Sequence, residues 1–191
     1  KRKNPDWQYT LYDDQMVNEF IRKEYGDIIF QNYFKRIDQQ YGAAKADFFR
    51  YLYLYRHGGV YLDLKSSFTK PLNESLLPDD SFVTSHWDNK DGLHKGFGLN
   101  YKELQHITGG EYMQCCIISS AGHPYLREVI MSMLRRIDEY SFWKNRVGHD
   151  AVFFTTGPNM YSLALQDSMD KCSDTKLHRI VNLFEDFGYV Y

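Results

Sequence analysis

Between Ala43 and Ser67 the chain reads AAKADFFRYLYLYRHGGVYLDLKSS, and this run holds Asp47, Arg50, Asp63 and Lys65. Carboxylates accept hydrogen bonds from sugar hydroxyls, and fixed positive charge stabilises a diphosphate as it departs. The four residue types therefore match the two tasks of a site that holds a sugar nucleotide. Asp47 and Arg50 are three positions apart, so on a helix they project from one face. That spacing alone equally describes a solvated surface ion pair worth ~0.3 kcal/mol. Asp63 alters the balance, because it interrupts an otherwise apolar and aromatic run from Val60 to Leu64, where an unpaired charge is costly. Such a strand tolerates an aspartate best at its exposed carboxyl end, which in open α/β sheets is where ligands bind.

The elements that must position these residues are legible around them. Residues 43–56 have the strongest helical pattern of the chain, and Gly58-Gly59 stops it, because glycine tolerates the left-handed turn that ends a helix. Val60 to Leu64 follows as an expected buried strand, rich in β-favouring residues. Helix, double glycine and strand make an αβ unit, the building block of a layered α/β fold. Upstream, Trp7 to Tyr12 alternates like a short strand. Asp13 or Asp14 caps a helix carrying Met16, Val17, Phe20, Ile21 and Tyr25, which Gly26 ends, and Asp27 caps a second helix. Downstream, Phe82 to His86 and Met113 to Ser119 read as strands, and Pro124 opens a helix to about Ile137. Thr155-Thr156-Gly157-Pro158 is a turn before a short helix, and Leu177 to Leu183 a closing strand.

With no internal repeat, low-complexity tract or linker, the 191 residues form one expected domain. Hydrophobic residues make up 43% and charged residues 25%, the balance of a chain that buries a core. The 17% aromatic share, mostly Tyr and Phe, suits both a core poor in other large side chains and half-buried polar-ligand sites. A net charge of −2 gives no cationic field for nucleic acid; the short basic runs at Lys1 to Lys3 and Arg135-Arg136 read as solvated surface. Cys115, Cys116 and Cys172 make neither a disulfide framework nor a metal spacing, which favours a reducing, cytoplasmic setting. No apolar run is long enough to span a membrane. Lys1 is not an initiator methionine, so an upstream anchor, and with it a Golgi-lumenal location, stays open.

The set Ala44, Asp47, Arg50, Tyr51, Leu54, Gly58, Gly59, Tyr61 and Asp63 resembles the sugar-binding region of glycosyltransferase family 32 and the large clostridial glucosylating toxins, a region shared with capsular polysaccharide transferases. Looser likeness extends to Asn4-Pro5-Asp6-Trp7, Gly122-His123-Pro124 and Thr156-Gly157-Pro158. The resemblance implies a GT-A type fold, a Rossmann-like mixed sheet flanked by helices. It implies a hexose moved, with retention, from a UDP- or GDP-sugar donor to a glycan or other hydroxyl acceptor. It puts Asp47, Arg50, Gly59, Tyr61, Asp63 and Lys65 at the donor: Asp47 and Arg50 on sugar hydroxyls, Tyr61 lining the pocket, Asp63 on sugar or ribose and on the water shell of manganese or magnesium. The first strand of the family, which helps hold the base, would lie before residue 1.

One position departs from the family pattern. Lys65 stands where that pattern has a second aspartate, the direct metal ligand. Three readings follow. The Lys65 ammonium, a compact point charge, takes over part of the metal's work; or a metal binds through Asp63 with Asp150 or His149; or Lys65 points into solvent and activity is weak or lost. Among other candidates, His123 reads as a helix-start residue, Gln114 falls near where relatives carry an asparagine by the site, and His149-Asp150 reads as surface. The long stretch from Trp87 to Gly110, with Asp88, Asp91, His94 and His106, suits an acceptor-side element, and its histidine spacing does not make a zinc site. Asn73-Glu74-Ser75 has the pattern of a glycosylation sequon. Two rivals remain: a non-catalytic carbohydrate- or nucleotide-binding module, and a glycoside hydrolase using two carboxylates.

Overall fold

The computed structural model describes residues 3–90, 94–172 and 175–191; Lys1, Arg2 and Asp91 of the readings above lie outside the described residues. Helix α1 spans Asp14–Asn32, with the Asp13 carboxylate accepting from the Met16 N–H at its start. Gly26 leaves helical geometry at φ 79°, so the two helices read from the sequence are two arms of one kinked element. Helix α2 is Gly42–His57, and Gly58 ends it at φ 68°. Strand β1, Gly59–Leu62, follows directly. Strand β2 is Ser67–Phe68, α3 Leu72–Ser75, β3 Phe82–Ser85 and β4 Cys116–Ser119. Helix α4 is Pro124–Glu139, α5 Gly148–Thr155 and α6 Pro158–Lys171. Strand β5 is Arg179–Val181, α7 Leu183–Asp186 and β6 Tyr189–Val190.

The main sheet has the order β1-β4-β3-β5, antiparallel except for the β3–β5 pair. It is mixed, as expected, but β1 is its edge strand and only half covered, where the sequence reads as a buried strand. The apolar run of β1 is explained by its two faces, since successive side chains of a strand alternate. Tyr61 packs with α1, α2, α4 and α6, together with Phe82 and Ile117. Val60 and Leu62 pack on the other side with Val83, Cys116, Ile118, Leu183, Phe187 and Tyr189. Helices thus cover one face, and short segments from both ends of the chain cover the other. Cys115 and Cys116 are buried, filling space as small apolar groups.

Trp7 to Tyr12 forms no strand. The Trp7 indole instead donates to the Asn73 side chain, the asparagine of the sequon pattern, at 2.8 Å, and Tyr12 packs on Phe49. A second sheet, β2 with β6, joins the segment just after β1 to the last residues of the chain. Among the described residues no helix is long and apolar enough to cross a membrane.

Candidate functional site

Helical spacing turns Asp47, Arg50, Tyr51 and Leu54 to one side of α2, and all four are buried against the sheet. The period-two alternation of β1 carries Tyr61 and, two positions on, Asp63 toward that same side. The double glycine makes the two elements meet. At Gly58 an added Cβ would lie 2.7 Å from the Ala121 nitrogen and 2.9 Å from the Ser119 oxygen, so the chain reverses in a space that only glycine fits.

Arg50 is the centre of the resulting cluster. Its Nη2 lies 3.1 Å from Asp47 Oδ1 and 3.3 Å from Asp63 Oδ1. Nη1 donates to the Gln114 carbonyl at 2.7 Å, and Nε to the Ala46 carbonyl at 3.4 Å. The guanidinium carbon sits 4.5 Å from the centre of the Tyr61 ring, in cation–π range, and the Tyr61 hydroxyl donates to Asp63 Oδ1 at 3.0 Å. Thr156, in the turn before α6, donates its hydroxyl to Asp47 Oδ2 at 2.9 Å. Tyr51 donates to the Thr156 carbonyl and to the Gln114 side-chain oxygen.

Asp47 and Arg50 are only 2% and 5% exposed, so they are not a surface ion pair. Burial raises the Asp47 carboxyl to about 6, with Arg50 and the Thr156 hydroxyl offsetting part of that rise. Burial also works against the charge of Arg50, yet Asp47, Tyr61 and Asp63 outweigh it and hold the guanidinium protonated. Burial pushes the Tyr61 phenol up as well, so it stays a donor. The open part of the cluster is Asp63. Its side chain is 25% exposed, and among the described residues its second oxygen has no hydrogen-bond partner. A ligand therefore meets Asp63 first in this conformation.

The chain leaves β1 through a turn closed by the Ser66 N–H on the Asp63 carbonyl at 2.8 Å, which places exposed Lys65 beside Asp63. The Lys65 ammonium rests 3.9 Å from the centre of the Tyr191 ring. A hydrogen bond to Tyr191 raises its pKa first, with neighbouring charge adding to it. Tyr189, two residues earlier, shares a 2.7 Å hydrogen bond with Ser66 and donates to the Cys115 sulfur at 3.1 Å. Beyond Tyr191 lies an aromatic group of Trp87, His94, Phe97 and Phe184, so part of the Trp87–Gly110 stretch does border the site. Glu111 lies at the edge of this group, taking the Trp87 indole N–H at 2.9 Å.

Of the expected site residues, Asp47, Arg50, Tyr61 and Asp63 come together, with Lys65 at the rim. Gly59 does not join them: it opens β1 four positions before Asp63, and its φ of 101° gives it a backbone role. His149 and Asp150 lie at the start of α5, where His149 packs on Phe153 and Asp150 pairs with Arg146 at 3.7 Å. His123 caps α4, its Nδ1 accepting from the Tyr125 N–H and its Nε2 facing the Leu177 carbonyl at 3.0 Å. A polar cleft of ≈ 550 Å³ lined by Arg135, Arg136, Lys144 and Arg146 lies elsewhere and includes none of these residues. Nothing in the sequence marks the Tyr189–Tyr191 segment as a neighbour of this cluster, and Thr156 carries no signal beyond the Thr-Gly-Pro likeness.

The donor set suits a divalent cation poorly. Asp63 commits one oxygen to Arg50 and Tyr61, Lys65 brings an ammonium where a second carboxylate would be needed, and no group of three or more His, Cys, Asp or Glu able to hold a metal gathers among the described residues.

The family described as "Glycosyltransferase sugar-binding region containing DXD motif" matches residues 1–83, and so spans α2, β1 and the turn after it. The chain carries a sugar-binding region of the DXD glycosyltransferase family. By the resemblance drawn from the sequence, Asp63-Leu64-Lys65 would take the place of the DXD motif. An initiation-specific alpha-1,6-mannosyltransferase of Candida albicans is 30% identical over 132 residues, which cover 67% of this chain and 34% of that protein. Inositol phosphoceramide mannosyltransferase 3 of Schizosaccharomyces pombe is 26% identical over 161 residues, covering 84% and 36% respectively. The chain thus spans about a third of the length of these relatives. Among solved structures, PaToxG glycosyltransferase shares the fold with a TM-score of 0.56 at 16% identity, over 92% of this chain and 62% of that one. The GT-A expectation agrees with this likeness.

Proposed function

We propose that the chain is the donor-binding catalytic region of a hexosyltransferase that moves a sugar, mannose by analogy with the names of its relatives, from a UDP- or GDP-sugar to a hydroxyl of a glycan or glycolipid headgroup. The observation that carries this reading is the meeting of Asp47, Arg50 and Asp63, from a helix and a strand end, inside the family's sugar-binding region.

In this reading the free oxygen of Asp63 accepts a hydroxyl of the donor sugar or ribose, while Arg50, held on three sides, keeps that carboxylate aimed. Orientation of this kind lowers the barrier by placing the reacting atoms before the reaction starts. The bond between the anomeric carbon and the diphosphate oxygen breaks with its electron pair going to the diphosphate. The acceptor oxygen bonds to that carbon, and the hydroxyl proton passes to the departing diphosphate. Attack on the face the diphosphate leaves gives retention and needs no protein nucleophile.

A thermal-shift panel of UDP- and GDP-hexoses tests the reading. A true donor at a hundred times its dissociation constant should stabilise the chain by ~2.7 kcal/mol; Asp63→Asn, which takes one carboxylate from buried Arg50 and so lowers the unliganded melting point, should abolish the ligand-induced shift measured from its own baseline. A panel with no response, or an unchanged response in Asp63→Asn, would falsify the donor site. The Lys65 replacement also favours a second reading, a binding module without turnover. Donor hydrolysis in the absence of acceptor separates the two, since only the enzyme consumes its sugar nucleotide.

A further inference from the structure

The ionic make-up of the cluster differs from that of a DXD site in a way that can be counted. Asp47 and Asp63 are balanced here by Arg50 and Lys65, so the cluster is neutral as it stands. With aspartate at position 65, three carboxylates would face one guanidinium, a deficit of two charges that one divalent cation makes good. Either arrangement leaves the same net charge to meet an incoming diphosphate. The ammonium is also held in place. Lys65 sits in the turn closed between Asp63 and Ser66, rests on the Tyr191 ring, and Tyr191 stacks beside Tyr189 with ring centres 6.5 Å apart. Tyr189 in turn is tied to Ser66 and Cys115. Tyr191 further meets the Trp87 ring edge-on at 5.3 Å.

We propose that Lys65, propped on Tyr191, supplies the positive charge that meets the donor diphosphate in place of a divalent metal, so that nucleotide binding by this chain is metal-independent. The inference rests on the donor-site reading above and specifies how that site handles phosphate charge. An ammonium is a single compact charge with three donors, enough to bridge two diphosphate oxygens without the ordered coordination shell a metal demands.

Calorimetric titration of GDP and of UDP into the chain, in EDTA and then in excess manganese, tests it. The affinity of the better nucleotide should be the same within about threefold in both buffers, Lys65→Ala should weaken it at least tenfold in both, and Lys65→Asp should bind only when manganese is present. Manganese alone, followed by its paramagnetic resonance signal, should bind Lys65→Asp and leave the parent chain's spectrum unchanged. Lys65 is exposed, so all variants should melt near the parent temperature. Parent binding that requires manganese, or Lys65→Ala binding as well as the parent, overturns the inference while leaving the donor site standing. Failure of both nucleotides and every nucleotide sugar to bind in either buffer brings down the donor-site reading and this inference together.

Discussion

Arg50 shows how much can rest on one side chain. Its guanidinium is the common partner of Asp47, Asp63 and the Gln114 carbonyl, and nearly all of it is withdrawn from water. Removing one partner of a buried ion pair costs more than the pair contributed, because the remaining charge is stranded. Arg50→Ala should therefore destabilise the chain by about 3–5 kcal/mol, measured by urea unfolding at neutral pH. A loss under about 1 kcal/mol, the range of exposed pairs, would show that the cluster is solvated in solution. Asp47, Arg50 and Asp63 were legible because their types, spacing and apolar surroundings are local properties of one short run. Thr156 was not, since its hydroxyl reaches Asp47 across 109 positions of chain, and a threonine in a turn has no pattern that foretells such a bond. Gln114 lies between these cases: the resemblance places it near the site, but its contacts with Arg50 and Tyr51 follow only from the fold.

Among the elements, the junction of α2 and β1 sets the aim of the site. Gly58 has φ 68° and its missing Cβ would collide with backbone on the β4–α4 connection. Gly58→Ala must therefore both strain the turn and push apart two segments that no rotamer change can relieve, a cost of about 1–3 kcal/mol or more. A lowered melting temperature with weakened nucleotide binding is the expected result; an unaltered melting temperature would mean that the turn is free to rearrange. Helices α2 and α4 and strand β3 were readable because glycine, proline and periodic apolar residues punctuate them. Strand β1 was found but misplaced, since an apolar run reads as buried on both faces whether the strand is central or at an edge. Helix α5 was missed because Ala151, Val152, Phe153 and Phe154 are contiguous and show no stripe. The apparent strand from Trp7 to Tyr12 failed for the opposite reason: the alternation is there, but no neighbouring strand pairs with it.

For the molecule as a whole, buried titratable groups tie stability to pH. Burial raises the Glu111 carboxyl from 4.5 to about 7, with the Trp87 N–H pulling back slightly. The folded chain then holds its proton more tightly than the unfolded chain does. Relative stability from this group is complete below about 4.5 and is lost as pH rises through about 7. His86, His123 and His178, all lowered chiefly by burial, act in the opposite sense at mildly acid pH, so the comparison must be made against a variant. Glu111→Gln, which keeps the acceptor for Trp87, should gain on the parent by on the order of 3 kcal/mol between pH 4.5 and pH 8. Chemical denaturation across that range measures it, and parallel curves for the two chains would refute the assignment.

The small β2–β6 pairing has a further consequence for how the chain is made. Ser66 and its partner Tyr189 are 123 positions apart, whereas Asp63 and Arg50 are held by α2, β1 and the backbone of Gln114 and Cys115 just before β4. During synthesis Asp63 and Arg50 can be fixed once β4 has emerged, whereas the wall that steadies Lys65 waits for Tyr189, 123 positions after Ser66. On the roles proposed above, a nascent chain would complete its hydroxyl contact before its phosphate contact.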